Sequence, residues 1–190
     1  MLWNKNEKYL EIPFDKESEL EDAVNEVKSA LFSSNRIYLD DKKKIGKQGS
    51  TNNLPDGYLI DMTNHQDPKI FVVENDLARH QSLKHIAVQI LEFSLSFEAS
   101  KVKVKNIIKE MLQKRPTDWK TCEDFARKNS YENVDYLLES IIHKKDSFNA
   151  LLIIDELDEE LETVLISKFK FPVEVITLKK YKKQKRKHTL

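Results

Sequence analysis

The residues of this chain that could do chemistry lie in PDGYLIDMTNHQDPKIFVVENDL, residues 55–77. Asp56 stands just before an apolar run at 58–62, and Ile70-Phe71-Val72-Val73, a run built for burial, is followed at once by Glu74, Asn75 and Asp76. If residues 64–68 turn the chain, the two strands run antiparallel, and the start of the first lies beside the end of the second. Asp56 and Glu74 then converge at one sheet edge. Asp76, two positions past Glu74, points to the same side. Converging carboxylates repel and raise one another's pKa, so something positive should sit among them. Magnesium or manganese suits carboxylate and backbone oxygens supplemented by water. Such an ion polarises a phosphoryl oxygen and makes hydroxide available near neutral pH. The same residues also fit plain turn chemistry, with Pro55-Asp56-Gly57 as a turn and Glu74 and Asp76 ending a strand in solvent.

The surrounding elements must position these acids. Spacing predicts an amphipathic helix over 17–32, from Leu20, Ala23, Val24, Val27, Ala30 and Leu31, capped by Asp15 or Ser18. A short strand at 37–39 and a polar turn or hairpin over 40–53, with Gly46 and Gly49, follow. Strands at 58–62 and 69–73 are joined by the turn. A helix over 78–97 carries a wide apolar stripe. Three helical pieces are expected at about 102–113, 118–129 and 132–142, with a break at Arg115-Pro116-Thr117. Next come a strand at 151–157, a helix at 159–169 and a strand at 173–178. Three successive strands favour an antiparallel meander, and the later strand-helix-strand unit favours parallel crossovers. The fold class expected is α/β, a mixed central sheet flanked by helices. Residues 1–178 would be one domain, with a helical insertion at about 102–142 and a basic tail over 179–190.

The 190 residues suffice for one domain with a real core. With 32 basic and 32 acidic side chains, net charge argues for no particular partner. The single cysteine, Cys122, excludes an internal disulfide and a cysteine metal cluster, which fits a reducing compartment. A polar N-terminus and the lack of an 18-residue apolar run predict a cytoplasmic protein with no membrane partner.

Pro55-Asp56, the hydrophobic strand after it and Glu74-x-Asp76 together resemble the PD-(D/E)XK, or restriction-endonuclease-like, nuclease superfamily. The order of elements matches its helix-strand-strand-strand-helix-strand core over most of the chain. The resemblance implies that Asp56 and Glu74 are ligands of Mg2+ or Mn2+, with the backbone carbonyl of Asn75 as a third. Gln89, with Phe93 four residues on, looks like the Gln-x-x-x-Tyr signature of the exonuclease-like branch. A glutamate of the first helix should face the site; Glu17 is preferred, and Glu21 lies one turn away. Asp76 occupies the position of the superfamily's lysine, which orients the attacking water. A second metal or a base such as Lys84 or His85 would have to replace it, or the site is inactive. The resemblance thus implies hydrolysis of phosphodiester bonds in nucleic acid, DNA by preference, and it allows a homodimer. The alternatives are an inactive module of the same fold that binds nucleic acid or protein, and a scaffold that uses 102–142 as an interface.

His85 and Gln89 share a helix face, where they could contact phosphate or metal-held water, whereas His80 reads as a polar surface residue. The histidine spacing is wrong for zinc. Asp61 is the reserve choice for the first aspartate, on the opposite face of a regular strand. Asp155 and Glu156 could be read as catalytic at a strand end, but read better as leading into a helix N-terminus, where the dipole favours acids. Seven Lys or Arg among residues 179–187 could hold a phosphate backbone or be a solvated terminus, and Tyr181 among them could extend the last strand.

Overall fold

The computed structural model describes residues 2–4, 7–42, 54–79 and 83–184. His80, most of the turn expected over 40–53 and the last six residues lie outside the described residues. The elements in chain order are β1 (Leu2–Asn4), β2 (Glu7–Ile12), α1 (Glu17–Phe32), β3 (Arg36–Leu39), β4 (Gly57–Asp61), β5 (Lys69–Asp76) and α2 (Leu83–Ala99). They continue with α3 (Lys101–Gln113), α4 (Pro116–Lys128), α5 (Val134–Ile142), β6 (Asn149–Ile154), α6 (Glu159–Ser167), β7 (Val173–Thr177) and β8 (Lys180–Lys183).

The fold is α/β, as expected. A five-stranded mixed sheet has the order β3-β4-β5-β6-β7. β3, β4 and β5 form an antiparallel meander, and β5-β6 and β6-β7 are parallel. The turn between β4 and β5 is set by Asn64: its carbonyl accepts from Asp67 N, and its side-chain Oδ1 accepts from Gln66 N at 3.0 Å.

The central strands are buried on both faces, which explains their unbroken apolar runs. On one face Leu59, Phe71, Val73, Leu151 and Ile153 pack with Leu20, Val24 and Phe32 of α1. On the other, Ile60, Ile70, Val72, Leu152 and Ile154 pack with Ile86, Ile90, Phe93 and Phe97 of α2 and with the helices that follow. α3, α4 and α5 are the three helical pieces expected over 102–142, and Pro116 opens α4, where a missing N–H costs nothing.

Several local expectations change. Neither Asp15 nor Ser18 caps α1; Lys16 holds the cap position, and Glu19 reaches back to accept from Asp15 N at 2.7 Å. Asp155 and Glu156 lead into α6 as expected, and Asp158 caps it by accepting from Leu161 N. Residues 180–183, assigned to a tail, form β8, which pairs antiparallel with β2 in a second sheet of order β1-β2-β8. Tyr181 therefore extends no strand of the main sheet.

Candidate functional site

The site forms where β4 begins and β5 ends. Gly57 pairs with Val73, and the ladder runs one step further because Asp56 N donates to the Val73 carbonyl at 3.1 Å. Asp56 Oδ2 then accepts the N–H of Asn75 at 2.8 Å, so the side chain continues the ladder where β4 has no more backbone to offer. β5 persists through Asp76 because parallel β6 pairs with it there: Glu74 with Leu152, Asn75 with Ile153 and Asp76 with Ile154.

These acids do not end a strand in solvent. Asp56 and Glu74 are each 8% exposed, and Asp76 is 1% exposed. Burial pushes the Glu74 carboxyl well above its usual range, and the charges of Asp56 and Asp76 add to this, against Lys42 and a bond from Gln89. Burial also raises the Asp76 carboxyl, to about 7; the Leu77 N–H opposes this, while Glu17, Asp56 and Asp155 reinforce it. Glu74 Oε2, Asp76 Oδ2 and Asn75 Oδ1 are buried without a hydrogen-bond partner among the described residues. Such orphaned oxygens are costly in a folded chain.

Of the residues expected at the site, Asp56, Glu74, Asn75 and Asp76 come together. Gln89 of α2 joins them by donating its amide N–H to Glu74 Oε1, and Phe93 one turn on is buried in the core beneath. Both α1 candidates face this end of the sheet: Glu17 acts electrostatically on Asp76, and Glu21 lies across a lysine from Asp56. Lys84 and His85 are exposed on α2, and among the described residues neither is bonded to the three acids. Asp61, the reserve aspartate, lies at the far end of β4, bonded by Arg36 at 2.8 Å and by Thr63.

The lysine between Glu21 and Asp56 is Lys42, which sequence reasoning missed. Its Nζ lies 2.7 Å from Asp56 Oδ1 and 2.9 Å from Glu21 Oε1. Partial burial alone would lower its pKa, but the bonds to Asp56 and Glu21 outweigh this and raise it above the ordinary value. A signal did exist: an antiparallel β3-β4 pair puts the residues after Leu39 beside those before Tyr58. Asp155, read from the sequence as leading into a helix, also stands near the acids. It follows β6, and its Oδ1 accepts from Ala78 N at 2.9 Å just beyond the acids.

The donor set bears on a cation. Among the described residues no group of three or more His, Cys, Asp and Glu side chains is arranged to hold a metal ion. Two carboxylates, a backbone carbonyl and water nevertheless form a set that magnesium uses. Asn75 sends its N–H toward Asp56, and a strand residue directs its carbonyl to the same edge as its N–H. The orphaned oxygens of Glu74 and Asp76 fit a hard cation, which would relieve their desolvation. A broad surface groove lies elsewhere, over α3, α4 and the start of α5, between Lys109, Trp119 and Tyr131. No helix among the described residues is long and apolar enough to cross a membrane.

The chain matches no protein-family model, no curated protein and no solved structure.

Proposed function

We propose that this chain is a metal-dependent phosphodiesterase of restriction-endonuclease-like type, acting on nucleic acid and on DNA by preference. The observation that carries this reading is the burial of Asp56, Glu74 and Asp76 together at one sheet end, with oxygens of Glu74 and Asp76 that have no partner among the described residues. Structure alone seldom keeps acids so placed, because each lost partner costs about 1–3 kcal/mol. A fold could be stabilised by replacing them, so a chemical use is the economical account.

Asp56, Glu74 and the Asn75 carbonyl would hold the cation. When bound, magnesium or manganese polarises a phosphoryl oxygen and supplies hydroxide near neutral pH. Gln89 fixes the Glu74 carboxylate through its amide. Lys42 brings a permanent positive charge to Asp56, close enough to contact a phosphate oxygen or the attacking water there. It thereby takes the part expected of the lysine that Asp76 displaces. Asp76, with a carboxyl pushed up to about 7, can hold or release a proton near neutrality.

A second reading has an observation of its own. Lys42 already neutralises Asp56, and no three acids are grouped for a metal among the described residues, as a module that keeps the fold for binding alone would have it.

One set of measurements separates the two. Manganese and magnesium are titrated by calorimetry into the wild type, Glu74→Ala and Lys42→Met, with and without DNA, followed by cleavage assays on single- and double-stranded DNA and RNA. Saturable binding that Glu74→Ala abolishes and Lys42→Met retains, with cleavage reduced at least about 100-fold in both variants, is the expected result. No cation binding by the wild type, even with DNA present, would favour the binding module instead.

A further inference from the structure

The outer face of α2 carries a seam that the fold leaves uncovered. Ile86, Ile90, Phe93 and Phe97 turn into the core, whereas Val88, Leu91 and Leu95 are exposed, Leu95 to 64%. Residues 88, 91 and 95 follow the three-four spacing of a helix-packing seam. Lys84 and Glu98 continue the same stripe at its two ends, and both are exposed. Each lies seven residues, two helical turns, from Leu91.

We infer that this face pairs antiparallel with the same face of a second copy of the chain, across a twofold axis at Leu91. The charges select both the occupant and the direction. In the antiparallel arrangement Leu91 meets Leu91, Val88 meets Leu95, and Lys84 of each copy meets Glu98 of the other. A parallel arrangement sets Lys84 against Lys84 and Glu98 against Glu98. Glu98 already bonds Lys101 within its own chain through Oε2 at 2.9 Å, but its own side chain is half exposed and stays open to a second cation. An anionic lipid surface fits the stripe poorly, because Glu92 and Glu98 flank its apolar residues. Gln89 leaves α2 on a different side, toward Glu74, so pairing would hold two acid sites in one particle without covering either through this seam. The pairing is independent of what those sites do.

Three apolar side chains make a short seam beside the ~800 Å² per partner of a standard interface, so a weak dimer is expected, with Kd on the order of 10–100 μM. Sedimentation equilibrium of the full chain from about 1 μM to about 1 mM would show monomer giving way to dimer. Leu95→Glu should weaken association at least about tenfold. Because Leu95 is exposed, its thermal melt should stay close to that of the wild type. Lys84→Glu and Glu98→Lys should each weaken the dimer at low salt, and the two together should restore it. A wild type that remains monomeric at about 1 mM overturns the inference. So does association that survives Leu95→Glu, and a double variant weaker than both singles overturns the antiparallel twofold.

Discussion

Asp76 is the acid whose ionisation should be felt most directly in the stability of the cation-free protein. Its carboxyl is raised to about 7 from an ordinary 3.8, chiefly by burial and then by Glu17, Asp56 and Asp155. Between those values the folded chain holds a proton that the unfolded chain has released, so its contribution to stability falls as pH rises through that window and is level above it. Glu74, also raised, acts in the same direction. Other carboxyls, such as Asp61 and Asp40, are lowered and act oppositely at acid pH, so comparison with a variant is needed. Asp76→Asn, which stays neutral, should melt close to the wild type at pH 4 and higher by several degrees at pH 8, each kcal/mol being worth about 2–4 °C in a chain of this size. Saturating manganese should narrow the gap by stabilising the wild type. A gap that does not change with pH would remove Asp76 as the titrating group. Part of this site was legible in the sequence. Asp56, Glu74 and Gln89 stood out because acids interrupting apolar strands, and a glutamine one helix on, match a resemblance. Lys42 did not, because Asp40-Asp41-Lys42-Lys43-Lys44 is a run of charges in which local pattern marks none, and strand order alone brings one of them to Asp56.

Among the elements, the pairing of β3 with β4 is governed by Gly57. A Cβ at this position would lie 2.5 Å from the Leu39 carbonyl oxygen and 2.9 Å from a ring carbon of Tyr38. The first of these is backbone, so β3 itself must move. Tyr38 is held in place too: its hydroxyl accepts from Asn75 Nδ2 at 3.4 Å and its ring packs on Phe32. Gly57→Ala should therefore cost about 1–3 kcal/mol in urea denaturation, the range for overpacking a tight site. It should also weaken cation binding, since Asp56 is the next residue; a change below about 0.5 kcal/mol would mean that β3 yields freely. The close approach was invisible in Pro-Asp-Gly, which reads equally as a turn. The strands themselves were legible because burial on both faces leaves continuous apolar runs. β5 outran its expected end at Val73 because β6 supplies backbone partners as far as Asp76, and that ladder outweighs the poor strand preference of Glu, Asn and Asp. β2 and β8 gave no pattern, since short strands rich in charge and open to solvent need no apolar alternation, and β1 is only three residues long.

For the molecule as a whole, the small sheet joins the two ends of the described chain. β2 lies between β1 and β8, with Tyr9 opposite Lys183 and Ile12 opposite Lys180, and Gln184 N extends the ladder to the Lys8 carbonyl at 2.8 Å. The bases read from the sequence as either a phosphate-binding tail or a solvated terminus are partly engaged here. Lys179 pairs with Glu11, Lys180 with Glu19 and Lys183 with Glu7. Lys180 also lies over the ring of Phe14, which closes the core beneath α1. Exposed pairs of this kind contribute only about 0–1 kcal/mol each and fade with salt, whereas backbone pairing does not. The ladder should therefore be what holds the second sheet. Without β8, β2 keeps β1 alone, and a two-stranded hairpin is marginal in water. A chain ending at Lys179 should accordingly lose amide-exchange protection across Glu7–Ile12 by about 10-fold or more while β4, β5 and β6 keep theirs. In the full chain the same protection should survive about 0.5 M salt, where the ion pairs are screened. Protection that collapses in salt would assign the sheet to its charges, and would free the lysines of β8 for a phosphate backbone at the same time.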